Sequence, residues 1–130
     1  MSSVTWRWID RRLLILLHDE SLAMHGGASG LRDEGLLDSA LARPLNLAAY
    51  GTPDLAALAA SYASGLAQNR PFVDGNKRAA FLSVGLFLGL NGHRLTASQA
   101  EATVAMFGLA AGDIDEATFA AWLRKRMALR

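Results

Sequence analysis

A chain of 130 residues has room for one hydrophobic core of ordinary size, so one domain spanning residues 1–130 is expected. Apolar residues make up 52% and charged residues 19%, which excludes both a disordered tail and a highly charged coiled coil. A formal net charge of +1 excludes recognition by bulk charge, and zero cysteines exclude disulfides, zinc–thiolate sites and thiol nucleophiles.

Apolar spacing is helical along most of the chain. Ile9, Leu13, Leu16 and Leu17 lie on one stripe, and the segment stops near His25-Gly26-Gly27. Asp33 then suits an N-cap for a short helix through Leu36, Leu37, Ala40 and Leu41, closed by Pro44. Pro53-Asp54 opens a third helix carrying Leu55, Leu58, Ala59, Tyr62 and Leu66. The pattern breaks at Asn69 to Asp74. A fourth helix begins around Gly75 and carries Phe81, Val84 and Leu88 towards Asn91-Gly92. Thr96 or Ser98 starts a fifth, with Val104, Met106 and Phe107. Asp115-Glu116 starts a sixth, with Phe119, Trp122, Leu123 and Met127. No sustained alternation, repeat period or low-complexity linker interrupts this series. The expected fold is all-α, a bundle of about six helices.

No segment reaches membrane length. The most apolar stretch runs from Ala79 to Leu90 and falls well short of the roughly twenty residues a span requires. Leu13 to Leu17 is too short for a signal-peptide core and is followed at once by His18-Asp19-Glu20. A soluble, cytoplasmic protein is expected.

The densest polar cluster lies between the two central apolar helices: Asn69, Arg70, Asp74, Asn76, Lys77 and Arg78. Asp74-Gly75-Asn76 is turn chemistry leading directly into a helix start. Amides in a first helical turn lack intrahelical partners and sit at the positive end of the macrodipole, which favours anions. Lys77 and Arg78 add two cations there, Gly75 lets a ligand approach the backbone, and Asp74 is placed for a magnesium ion bridging protein and nucleotide. On spacing alone a plainer reading stands beside this one, with Asp74 as an N-cap and the cations as a solvated helix start.

The stretch Arg70-Pro71-Phe72-Val73-Asp74-Gly75-Asn76-Lys77-Arg78 resembles the Fic/Doc signature His-Pro-Phe-x-Asp/Glu-Gly-Asn-Gly/Lys-Arg, departing from it at the first position. His25 to Pro44 looks like the corresponding region of short death-on-curing (Doc) toxins. The resemblance implies the toxin of a toxin–antitoxin pair, which transfers a phosphate-containing group from ATP or another nucleoside triphosphate, with Mg2+, to a protein hydroxyl. It implies nucleotide or phosphate binding by Gly75, Asn76, Lys77 and Arg78, with Asp74 catalytic and on the metal. Lys77 and Phe81 stand where adenylyl-transferring members carry Gly and a second Arg. The implied reaction is therefore γ-phosphate transfer to a translation factor such as elongation factor Tu, with AMP transfer as the alternative.

Arg70 occupies the position of the family's catalytic His, the general base for the target hydroxyl. A guanidinium stays protonated at physiological pH and cannot take that proton. Loss of a general base removes about 10²–10⁴-fold in rate. Arg70 can still pair with a phosphate, so the expectation is nucleotide binding with transfer lost, whether the substitution is natural or inactivating. A non-catalytic nucleotide- or antitoxin-binding module is the other class in play. The implied partner is an antitoxin whose disordered segment folds as a helix into an apolar groove near the His25–Arg43 and Arg70–Arg78 regions.

The remaining residues read more plainly. His18, His25 and His93 show no metal-ligand spacing; His25 suits a helix end bordering the cleft. Trp6, Trp8 and Trp122 read as packing. Arg32-Asp33-Glu34 reads as a solvated helix start that, in the family context, helps hold a target segment. Arg124, Lys125, Arg126 and Arg130 match a helix C-terminal dipole and do not form a nucleic-acid patch, so direct DNA binding is not expected.

Overall fold

The computed structural model describes residues 5–130 as six helices and one small sheet. The helices are α1 (Arg11–His25), α2 (Glu34–Tyr50), α3 (Leu55–Asn69), α4 (Asn76–Leu90), α5 (Gln99–Ala111) and α6 (Glu116–Arg124). Strands β1 (His93–Leu95) and β2 (Met127–Leu129) pair antiparallel, with Arg94 opposite Ala128. The all-α expectation holds. The sheet was not anticipated, because three-residue strands carry too little alternation to stand out from neighbouring helices.

Helix α3 forms the axis. All of its residues but Ala57, Gln68 and Asn69 are buried, and it packs against α2, α4 and α6. Alanine, serine and glycine dominate its surface, so neighbouring backbones come close. A methyl group added at Gly65 would meet the Ala40 Cα and Cβ at 3.3 Å. Tyr62, Leu58 and Leu66 of α3 join Val84, Phe87 and Leu88 of α4 and Phe119 and Leu123 of α6 in one contiguous core. The amino-terminal approach is tied to it: Trp8 stacks on Phe87 with centroids 5.9 Å apart, and the Tyr62 hydroxyl accepts from the Ile9 amide at 3.1 Å. Trp122 stacks on Phe119 at 5.7 Å, so the tryptophans do serve packing.

Three local expectations need correction. Pro44 does not close α2; it lies inside the helix and is buried. Proline removes the bond to the carbonyl four residues back, but Leu37, Ala40 and Pro44 form the stripe that meets α3, and that packing carries the helix through. In α1 the buried positions are Leu14, His18 and Leu22, a spacing of four, whereas Leu16 is exposed. At the carboxyl end α6 stops at Arg124, and Met127 belongs to β2. The helix starts at Asp33, Asp54, Ser98 and Asp115 are N-caps, each accepting from a first-turn amide. Among the described residues no helix is long and apolar enough to cross a membrane.

Candidate functional site

The site is built where α3 ends and α4 begins. The ring of Pro71 disfavours right-handed helical geometry at the preceding residue, so the chain turns at Arg70. Arg70 adopts φ 50°, ψ 57°, and is the only non-glycine residue with positive φ among the described residues. Its amide still donates to the Leu66 carbonyl at 3.1 Å, closing α3. The loop beyond is held by Asn76, whose Oδ1 accepts from the Phe72 amide at 2.9 Å while Nδ2 donates to the Phe72 carbonyl at 3.0 Å. Asn69 likewise faces inward, donating to the Leu36 carbonyl at 3.0 Å. Both asparagines of the polar cluster thus fix main chain, and Asn76 also lines the cleft. The four charged residues of the cluster line it too.

Those four are Arg70, Asp74, Lys77 and Arg78, on the polar side of a cavity of about 470 Å³. Phe81, Met106, Phe107 and Ala110 form its apolar side. Small-molecule sites commonly have such a volume and such a division. Helix α4 starts here with Gly75 as N-cap and no side-chain bond to its first-turn amides. The other five helices are each capped by an Asp or Ser side chain. Lys77 and Arg78 enter no ion pair among the described residues. The Lys77 ammonium rests over the Phe107 ring, 4.8 Å from its centroid, which keeps it within the cleft. Amides and cations of one turn are therefore left available to an anion.

Asp74 is exposed at the mouth. Its Oδ1 accepts from the Gly75 amide at 2.9 Å and its Oδ2 from the Ala28 amide at 3.3 Å. It caps the turn and so is not the N-cap of α4, which departs from the plainer reading of the sequence. It is the only carboxylate lining the cavity, and no group of three or more His, Cys, Asp or Glu converges among the described residues. This donor set fits a Mg2+ carried on nucleotide phosphates, which needs only one or two protein carboxylates.

Gly75 has a packing role beside the one expected. Its φ is 73°, and a methyl group there would point inward, 2.9 Å from Cε1 of His18. The glycine makes room for the core and also lines the cavity, where the sequence suggested a close ligand approach. His18 is fully buried behind the loop, its ring 4.0 Å from that of Phe72, and neither ring nitrogen has a hydrogen-bond partner. Burial pushes its pKa below the usual imidazole value, against smaller opposing pulls from the Asp74 main chain and the Asp19 and Asp74 carboxylates. Sequence reasoning missed this residue; the Leu14-His18-Leu22 spacing of four was the available signal.

The segment before α2 is bound to the same loop. Val73 donates to the Gly30 carbonyl at 3.0 Å, and the amides of Arg32 and Asp33 donate to the Pro71 carbonyl at 2.7 and 3.1 Å. Arg32-Asp33-Glu34 is the exposed helix start expected, and the Arg32 side chain in addition donates to the Arg70 and Asn69 carbonyls, each at 2.9 Å. His25 closes α1 and does not line the cavity. The carboxy-terminal cations are spread over separate duties: Arg124 pairs with Asp54, Arg126 with Glu101, and Arg130 donates to the Gly89 carbonyl.

Residues 8–88 match the model of the Fic/DOC family. Over 120 residues the chain is 34% identical to "Protein kinase doc" of Escherichia phage P1, covering 92% of this chain and 94% of that protein. Over 75 residues it is 45% identical to "Toxin Doc" of Mycolicibacterium smegmatis, covering 55% of this chain and 57% of the relative, so that match spans little more than half of the mycobacterial protein.

Proposed function

Because the chain belongs to the Fic/DOC family, we propose that it is a toxin of a toxin–antitoxin pair whose cleft takes a nucleoside triphosphate, ATP foremost. Its reaction type is transfer of the γ-phosphate to a hydroxyl of a cytoplasmic protein, a translation factor such as elongation factor Tu. The names of the two relatives support toxin and kinase. One observation carries the reading: among the described residues α4 alone starts without a side-chain cap, in the turn where Lys77 and Arg78 line the cavity. The antitoxin is a partner on the same reading, its folded helix covering the approach to the cleft.

The residues divide the work by position. First-turn amides of α4 with Lys77 and Arg78 hold the phosphates, where the helix dipole adds to the two charges. Phe81, Met106 and Phe107 exclude water on the other side of the cleft. Asp74 is the residue that would help hold a magnesium ion brought with the nucleotide, and the ion when bound would supply charge neutralisation. In the transfer, the target hydroxyl oxygen bonds to the γ-phosphorus as the bond to the bridging oxygen breaks, releasing the nucleoside diphosphate. A histidine at position 70, as in the signature this stretch resembles, would take the hydroxyl proton. Arg70 cannot receive it. The chain as it stands therefore binds nucleotide and antitoxin without turnover.

The test is Arg70→His. Purified protein with labelled ATP and a bacterial lysate is expected to modify a target at a rate about 10²–10⁴-fold above the unchanged chain. Mass spectrometry of the target should show added phosphate. An AMP adduct would reassign the chemistry to adenylyl transfer, and no adduct in either form would reject the enzyme reading.

A further inference from the structure

We infer that Arg32 is a positioning residue that fixes the backbone of residue 70, and through it the aim of the side chain at that position into the cleft. The inference rests on the reading of position 70 as the base position of the proposed transfer. Arg70 must leave right-handed geometry before Pro71, and a left-handed turn brings Cβ of a non-glycine residue close to the following carbonyl. Something must compensate for that contact. The Arg32 guanidinium does so with its planar fork, Nε donating to the Arg70 carbonyl and Nη2 to the Asn69 carbonyl, each at 2.9 Å. Both acceptors are carbonyls at the end of α3, which have no intrahelical partner and carry the negative end of its dipole.

The same short segment fixes the other side of the turn. The Pro71 carbonyl accepts from the Arg32 and Asp33 amides, and Leu31 bridges Phe72 in antiparallel fashion. Arg32 thus reaches residues 69 and 70 by side chain and residue 71 by main chain. Its guanidinium and the Arg70 side chain border one recess with Phe72, Val73 and Asn76. A lysine at position 32 would keep the charge but could not span both carbonyls in a fixed plane.

Amide hydrogen exchange on the chain as it stands tests this independently of catalysis. The amides of Arg70, Phe72 and Val73 report the turn, and those of Leu58 to Leu66 report the body of α3. In Arg32→Ala the first group is expected to exchange about tenfold faster, since two charge-assisted bonds are lost, while the α3 amides hold their rates. Arg32→Lys should stay close to the alanine variant. In the Arg70→His background, Arg32→Ala is expected to lower kcat about tenfold or more with the KM for ATP unchanged, because a misaimed base affects the transition state and not nucleotide binding. Unchanged exchange at residues 70–73, equal acceleration throughout α3, or full recovery by lysine would overturn the inference and leave Arg32 a plain dipole partner. If Arg70→His transfers nothing, the enzyme reading fails, while the exchange result still decides the role of Arg32.

Discussion

The starts of α3 and α4 lie at opposite ends of the two most closely packed helices, and the chain treats them in opposite ways. At α3 every charge is used internally. Asp54 accepts from the Ala57 amide at 2.9 Å and receives the Arg124 fork at 2.6 and 3.0 Å. The Arg124 hydrogen bond holds the Asp54 carboxyl below the usual range, helped by the Ala57 amide and opposed by partial burial. At α4 the N-cap is a glycine, and the neighbouring cations are turned into a cavity. A helix start that is satisfied by its own protein contributes stability. One that is left open contributes a binding site and relies on the surrounding packing to stay folded.

The largest stability change should come from replacing the glycine at the open start. Gly75→Ala forces a methyl group into the space of His18 at a left-handed backbone position, and about 1–3 kcal/mol of destabilisation is expected from overpacking with strain. Denaturant unfolding measures it. A loss below a few tenths of a kcal/mol would mean that Gly75 is not confined by His18.

A smaller effect distinguishes the two regions by pH. The Asp54 carboxyl is lowered on folding, so its stabilisation is present above the unfolded carboxyl pKa of about 3.9 and fades as pH falls through the folded value. The His18 imidazole is also lowered, with a different window. Above a pH of about 6.5 it is neutral in both states and contributes no slope. Below that, the unfolded chain takes up a proton that the folded chain refuses, and stability falls as acid is added. The slope approaches at most about 1.4 kcal/mol per pH unit for one such group. Unfolding free energies of the unchanged chain and His18→Gln, followed from pH 7.5 to 5, should therefore converge towards the acid end. Parallel curves would show that His18 titrates alike in both states.

Much of this contrast was legible in the sequence. Asp33, Asp54 and Asp115 each precede an apolar helical run, so spacing points to them as helix starts, while Ser98 stood beside Thr96 until the capping box with Glu101 decided between them. The cluster from Arg70 to Arg78 stood out because polar residues sit between two helices nearly free of charge. Less legible were the roles decided by long-range packing. Asn76 and Asp74 looked suited to a ligand alone, yet both also hold main chain, Asn76 at Phe72 and Asp74 at Gly75 and Ala28, while lining the cavity. Arg32 and His18 lie far from the motif in sequence and meet it only once α1 and α2 have packed. Pro44 misled for a similar reason: its local preference to end a helix gives way to a buried stripe shared with α3.

Calorimetric titration of ATP with Mg2+ into three proteins puts the contrast between the two helix starts to its most direct test: the unchanged chain, Arg78→Ala and Asp54→Asn. The unchanged chain is expected to bind despite Arg70. Arg78→Ala should lose about ten- to a hundredfold in affinity, as a charge-assisted phosphate contact of roughly 1.5–3 kcal/mol is removed, with its unfolding free energy little altered. Asp54→Asn should bind ATP as tightly as the unchanged chain while losing about 0.5–1 kcal/mol of stability, the range of an exposed ion pair. Binding that is absent from the unchanged chain, or that survives Arg78→Ala intact, would contradict the assignment of the α4 start as the phosphate site.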